Sequence, residues 1–212
     1  MFDLAAKIQE LAVVVPVFLL ALTIHEFAHA WLANRLGDPT ARLQGRLTLN
    51  PLAHLDPIGT LAIVLIRFGW ARPVPVDARY LKNPRRDMVL IAAAGPVSNL
   101  LLAAASAFCY RMIPWGVPGL EWAWLAGPAR AMLRTGVLVN VILAVFNLLP
   151  VPPLDGGRVL SGLLPLRQAI TYSRLEPYGF LIIFFLFFTG IMDPVFGVAV
   201  RTLALALFGM WG

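Results

Sequence analysis

The stretch His25-Glu26-Phe27-Ala28-His29 is an H-E-x-x-H motif inside an apolar helical segment that runs from about Leu11 to Leu36. Residues four apart share one face of an α-helix, so both imidazoles can reach one zinc ion. Glu26 lies about 100° round the helix, where it can act as a general base toward a metal-bound water. Lone helical histidines are usually satisfied core residues, but ionisable groups within an apolar span usually line a functional cavity. The motif therefore predicts a zinc site within a membrane.

The composition indicates a membrane protein. The chain has 212 residues, 59% of them hydrophobic, and a mean hydropathy of +0.79, whereas soluble domains are about 45–50% apolar. We predict one membrane domain over residues 1–212, with a core at 8–165 and C-terminal membrane helices at 177–208. The N-terminus lacks a basic start, so we expect the first span to remain as an anchor.

The net charge of +6 does not indicate nucleic-acid binding, because the basic residues are spread over loops between apolar segments. They are dense from Arg35 to Arg86, which predicts that this stretch, and the opening of the site, face the cytoplasm. We expect an integral protein of a prokaryotic inner (plasma) membrane, in contact with the lipid bilayer. A single cysteine, Cys109, excludes an intramolecular disulfide.

The apolar pattern predicts an all-α polytopic membrane protein with five to six transmembrane or re-entrant helices. Arg111–Arg130 is interpreted as a loop at the outer surface. Ile58–Phe68 is short for a straight span, so it is expected to be re-entrant or tilted. The other expected membrane segments are Leu11–Leu36, Met88–Tyr110, Met132–Leu149, Pro177–Ile191 and Val195–Phe208.

Residues 69–80 alternate β-branched residues with prolines around Val74-Pro75-Val76. This pattern is typical of a short β element, an extended edge strand at the membrane interface. Such an edge could pair with an unfolded substrate segment through Val74 and Val76. An ordered interfacial loop is the alternative.

A catalytic zinc needs a third protein ligand and an open position for water. A third histidine six residues after His29 is ruled out because Arg35 stands there, and the next glutamate, Glu121, falls in the outer loop. The remaining candidates are His54 and the aspartates. Asp155 is favoured because it follows a proline-rich helix break and precedes two glycines. The aspartates in or beside the basic stretch, where solvated or ion-paired roles are usual, are Asp38, Asp56, Asp77 and Asp87.

Four motifs follow one another along the chain: His25–His29, Asn50–Thr60, Gly95-Pro96-Val97-Ser98-Asn99, and Asn147-Leu148-Leu149-Pro150 leading into Leu154-Asp155-Gly156-Gly157. In this order they resemble the motifs of the site-2 protease family of intramembrane zinc metalloproteases, peptidase family M50. Together they cover most of the chain up to about residue 165, and the pairing of H-E-x-x-H with a distant L-D-G is highly specific.

The resemblance implies one zinc ion per chain, held by His25, His29 and Asp155, with Glu26 as the catalytic base. It also implies that Asn147 lies near the scissile bond, where its amide could donate to an oxyanion; a bridge between helices is the alternative. Asn99 is expected to support a metal ligand or to position substrate. The alternative is that it only forms a hydrogen bond between two helices. His54 could contact substrate, approach the zinc site as an extra ligand, or cap a helix.

The expected function is cleavage of peptide bonds within or next to transmembrane segments of a membrane protein or peptide substrate. No PDZ-like or regulatory domain is expected in this chain. A metal transporter and a catalytically silent scaffold are the rival hypotheses. The natural substrate and the oligomeric state are left open.

Overall fold

The computed structural model describes residues 4–59, 71–113 and 123–209, where helices dominate. Short 3-10 helices lie at Pro51–Ala53, Ala78–Tyr80 and Glu176–Tyr178. The α-helices whose bounds lie within the described residues are α1 (Leu4–Leu36), α2 (Thr40–Leu43), α3 (Pro84–Met112), α4 (Ala123–Asn147), α5 (Asp155–Leu163), α6 (Leu166–Ser173), α7 (Gly179–Phe188) and α8 (Asp193–Gly209).

Among the described residues, four helical segments are long and apolar enough to cross a membrane, namely Leu4–Leu36, Pro84–Met112, Leu125–Asn147 and Leu166–Phe188. The all-α class is therefore confirmed for the described residues. The predicted count of five to six segments is not confirmed. Helix α8 has only 17 residues, and most of Ile58–Phe68 lies outside the described residues.

The helices α1, α3 and α4 pack together around small side chains. Ala103 and Ala107 of α3 are buried against Val137 and Val141 of α4. Small residues let helix backbones approach closely. In a lipid bilayer the hydrophobic effect does not favour contact between helices, so this close van der Waals packing drives their association. This close packing brings polar groups of all three helices within hydrogen-bond distance.

The predicted helix break before Asp155 is confirmed. Helix α4 ends at Asn147, and the chain turns through three prolines, which lack backbone N–H groups, before α5 begins at Asp155. A Cβ atom at Gly156 would collide with the carbonyl of Leu148, so only glycine permits this tight return. The turn places Asp155 in the first turn of a separate short helix.

Two sequence predictions differ from the structure. The loop expected at Arg111–Arg130 was too long, because α4 already begins at Ala123. The short β element at residues 69–80 is not confirmed. Within residues 71–80, an isolated antiparallel bridge joins Ala71 to Leu55, and the chain then runs without regular secondary structure to the 3-10 helix at Ala78. Pro73 and Pro75 have no N–H to donate to a ladder. We call residues 71–77 the strap.

Candidate metal centre

Three predicted ligands converge at one point between α1 and α5. His25 Nε2 lies 3.0 Å from His29 Nε2 and 3.1 Å from Asp155 Oδ2, and His29 Nε2 lies 3.3 Å from the same oxygen. All three residues are buried. Ligand atoms about 2.0–2.1 Å from a tetrahedral zinc ion lie about 3.3–3.4 Å apart. The three atoms therefore have nearly the spacing that such an ion requires.

The hydrogen bonds on the far side of each ring orient the two histidines. His25 Nδ1 lies 2.6 Å from the side-chain oxygen of Asn99, and His29 Nδ1 lies 2.7 Å from the carbonyl oxygen of Ile91. Both partners are acceptors, so each Nδ1 must carry the proton. In the neutral rings, each Nε2 then presents a lone pair toward the centre, as metal-bound histidines do.

The donor set fits a divalent cation. Two Nε2 lone pairs and a carboxylate oxygen face one another within hydrogen-bond distance, and Asp155 Oδ2 has no hydrogen-bond donor among the described residues. Without a cation these atoms would repel, and protonating both rings in an apolar interior would be costly. His25, His29 and Asp155 are thus the residues that would hold zinc.

Asn140, which was not predicted from the sequence, supports Asn99. Asn99 donates to the backbone oxygen of Ala21 at 3.1 Å and to the side-chain oxygen of Asn140 at 2.8 Å, and Asn140 donates to the carbonyl of Gly136. Both amides are almost completely buried. The sequence did offer a signal for Asn140, because an amide side chain within an apolar span needs hydrogen-bond partners. The predicted site residue Asn99 therefore lies directly behind His25 in a fully bonded chain.

Gly95 packs directly against the two imidazoles. A Cβ atom at this position would collide with His29 Nε2 and would lie 2.6 Å from His25 Nε2. No side chain fits there, so glycine is required for the rings to keep their positions.

Glu26 is held from the other side of α1. Its Oε2 accepts a hydrogen bond from the backbone N–H of Val74 in the strap at 3.2 Å, and the carboxylate is buried. Arg46 holds the strap by donating to the carbonyls of Arg72 and Pro73. Burial lowers the pKa of the Arg46 guanidinium, although the charge of Glu26 acts in the opposite direction.

The site opens into a cavity of about 460 Å³. Glu26, the three ligands and Asn147 all line it. So do Val74 and Val76, the two strap residues predicted to bind substrate, together with apolar side chains of the spans such as Phe18, Leu22, Phe146 and Ile183. The side chain of Asn147 donates to the carbonyl of Leu143 in its own helix at 3.0 Å, so this bond does not bridge two helices.

His54 is not brought into this group. Its side chain is buried, and its Nε2 donates to the carbonyl of Thr48 at 2.9 Å. Its backbone caps the 3-10 helix at Pro51–Ala53 and accepts a hydrogen bond from Arg72. His54 is also absent from the walls of the site cavity among the described residues.

Comparisons with known proteins agree with this geometry. The model of peptidase family M50 matches residues 122–190. The protein is 44% identical to YwhC of Bacillus subtilis (strain 168), provisionally named a zinc metalloprotease, over 81% of this chain and 78% of that protein. It is 32% identical to Rip2 of Mycolicibacterium smegmatis, which has the same provisional description, over 84% of this chain and 68% of that protein. No solved structure gave a significant match.

Proposed function

Because this chain belongs to peptidase family M50, the site-2 protease family, and is an integral membrane zinc-dependent protease, we propose that it cleaves peptide bonds within or next to transmembrane segments. The observation that carries this proposal is the position of the cavity. Its walls include Phe18 and Leu22 from the spanning helix α1 and Phe146 from α4. A peptide bond must therefore enter the helix bundle to reach Glu26.

His25, His29 and Asp155 hold the metal in this proposal. Bound zinc supplies a Lewis acid that lowers the pKa of coordinated water to about 7 and polarises a carbonyl. Asn99 and Asn140 act behind His25 as positioning residues that keep its Nδ1 protonated and its Nε2 available.

Glu26 is the general base. Its Oε2 is occupied by the Val74 N–H, so Oε1 is the atom that receives the proton from the attacking water. The same oxygen then returns the proton to the leaving amine. Burial of the carboxylate in an apolar cavity favours this transfer, because it keeps competing water away.

Asn147 stabilises the oxyanion. One of its two amide hydrogens is directed to Leu143, which fixes the side chain and leaves the second for a substrate oxygen. A donor of this kind contributes about 10²–10³-fold to kcat in other hydrolases.

The strap receives the substrate backbone. A helical substrate must unwind before its carbonyls are accessible, and the freed backbone needs partners at membrane depth. Val76 is the better partner of the two predicted residues, since the N–H of Val74 already serves Glu26 and the flanking prolines have none. We do not assign a substrate contact to His54, since it lies away from the cavity walls.

The topology is part of the proposal. We place the basic stretch Arg35–Arg86 and the mouth of the cavity at the cytoplasmic face of a prokaryotic inner membrane, on the charge asymmetry of the loops. The whole chain acts as one membrane domain with five to six membrane segments, counting α8 and the apolar stretch Ile58–Phe68 expected from the sequence.

Cleavage of a panel of transmembrane peptides by the purified protein in detergent tests the proposal, with Glu26→Gln as the paired variant and zinc quantified in both. We expect cleavage by the wild type, none by the variant, and about one zinc per chain in each. Peptides cut only at sites remote from their apolar segments would contradict the proposal. A Glu26→Gln variant as active as the wild type would remove Glu26 from its assigned role.

A further inference from the structure

A groove runs between α4 and α8, and its basic end lies away from the metal centre. It encloses about 590 Å³. Arg134 of α4 and Arg201 of α8 line it together with apolar side chains that include Leu138, Ile142 and Val200. We call this site the basic groove.

The depth of the basic groove follows from the helix register. Arg134 lies about 20 Å along α4 from Asn147 at the metal centre. On α8, Arg201 lies about 10 Å before Phe208. Phe208 is next to the end of α3, because its ring packs on Tyr110 and its carbonyl accepts a hydrogen bond from Arg111. Both guanidinium groups are therefore within reach of the headgroup layer at the far face of the membrane.

Neither arginine is compensated within the described part of the chain. No hydrogen bond or ion pair is formed there by Arg134 or Arg201, and both side chains are exposed on the helix surface. By contrast, the neighbouring Arg130 donates to the carbonyl of Ile113 and lies over the ring of Tyr110. A charge at membrane depth is costly unless it is paired or reaches the interface, so two unpaired arginines on one groove favour the binding of an anion there.

We propose that the basic groove binds one anionic phospholipid, with its phosphate between Arg134 and Arg201 and an acyl chain along Leu138, Ile142 and Val200. The planar guanidinium group matches phosphate oxygens in a two-pronged arrangement. The apolar wall continues from the arginines toward the membrane interior, as an acyl chain does. A free anion would use the arginines but would leave this wall without a partner.

Native mass spectrometry of the delipidated, purified protein tests the proposal. The protein is titrated with phosphatidylglycerol and, separately, with phosphatidylcholine. Each arginine near an anionic lipid contributes about fivefold to binding, so the wild type is expected to prefer phosphatidylglycerol by about thirtyfold. The variant Arg134→Gln/Arg201→Gln should lose that preference. The control Arg167→Gln/Arg174→Gln, which removes two exposed arginines elsewhere, should retain it.

Several outcomes would overturn the assignment. One is equal binding of the two lipids by the wild type, and another is an unchanged preference in the Arg134→Gln/Arg201→Gln variant. Displacement of the lipid by millimolar inorganic phosphate would indicate a simple anion site. A dimer that dissociates only in this variant, with lipid binding unchanged, would assign the groove to a second copy. If the double variant does not fold, each single variant should lose about fivefold, and no loss in either would count equally against the lipid.

Discussion

The two sides of the H-E-x-x-H helix are held in different ways. On the side of α3 and α4, His25 and His29 are fixed by short hydrogen bonds to Asn99 and to the Ile91 carbonyl, within packed spanning helices. On the other side, Glu26 is held by one 3.2 Å hydrogen bond from an irregular strap. The difference separates two tasks. The predicted metal ligands are fixed by helix packing, whereas the proposed base is held by a segment that is also proposed to bind substrate.

The largest effect should come from the two residues that carry these tasks. Asp155→Ala should abolish both zinc binding and cleavage, because two histidines alone do not complete the site. Glu26→Gln should lower kcat by about 10²–10⁴-fold with zinc content unchanged. Metal analysis beside peptide cleavage separates the two variants, and zinc loss in Glu26→Gln would contradict the division between ligands and base.

Gly95→Ala tests the packed side of the comparison. The added methyl group would push against both imidazoles, and a displacement of about 1 Å at a catalytic group can cost about 10²-fold in rate. The matched control is Gly127→Ala, where a Cβ atom meets nothing within 4 Å. Cleavage rates of the two variants, measured side by side, should differ by this factor. Equal rates would mean that the rings can shift without loss.

Asn140→Leu removes the support behind Asn99 without touching a ligand. Loss of such an outer hydrogen bond typically costs about 10–100-fold in metal affinity or activity. Zinc affinity, measured by competition with a chelator, is the readout. Ser106→Ala is the control, because Ser106 is a buried polar residue of α3 that bonds only within its own helix. A zinc affinity equal to that of the wild type would show that Asn99 holds His25 unaided.

Val76→Pro tests the strap side. Removing this N–H should raise KM by about fivefold, the value of one lost hydrogen bond, while zinc content stays the same. Ala78→Pro is the control, since it lies at the first position of a 3-10 helix, where proline is tolerated. If both variants give the same KM, the strap does not bind substrate through Val76.

The smallest effect is expected at the end of the strap. Arg79 lowers the pKa of Asp77 to about 2 by hydrogen bonding. Because the folded-state pKa is below the unfolded value of about 4, the stabilisation is present above about pH 4 and is lost as the pH falls toward 2. The thermal midpoints of wild type and Asp77→Asn should therefore differ slightly at pH 7 and converge in acid. A gap that persists at pH 2 would assign the effect to another contact.

The sequence predicted the parts of the fold that follow from local patterns. Helical spacing brought His25 and His29 together, and three prolines before Asp155 predicted the break that presents the third ligand. The start of α4 was misplaced because residues 123–130 combine a glycine, a proline and a tryptophan, which locally resemble a loop. The contact that sequence could not reveal is that of Arg130, which donates to the carbonyl of Ile113 and lies over the ring of Tyr110.

The parts that could not be predicted depend on contacts between distant segments. Nothing local shows that Gly95 faces the imidazoles or that Asn140 lies behind Asn99, because both facts follow from how α1, α3 and α4 pack. The strap also makes a contact that the sequence did not predict. Its alternating prolines suggested an edge for substrate, whereas the structure shows its Val74 N–H donating to Glu26, the proposed base.

The helix break before Asp155 also sets the order in which the protein becomes active during synthesis. His25 and His29 enter the membrane first, and α3 and α4 must both follow before the third ligand emerges. At about 5–20 residues per second, the ribosome needs roughly ten seconds for that interval. During this time the nascent chain has two ligands and an incomplete site. The proposed metal site can therefore be completed only after α1, α3 and α4 have all been made.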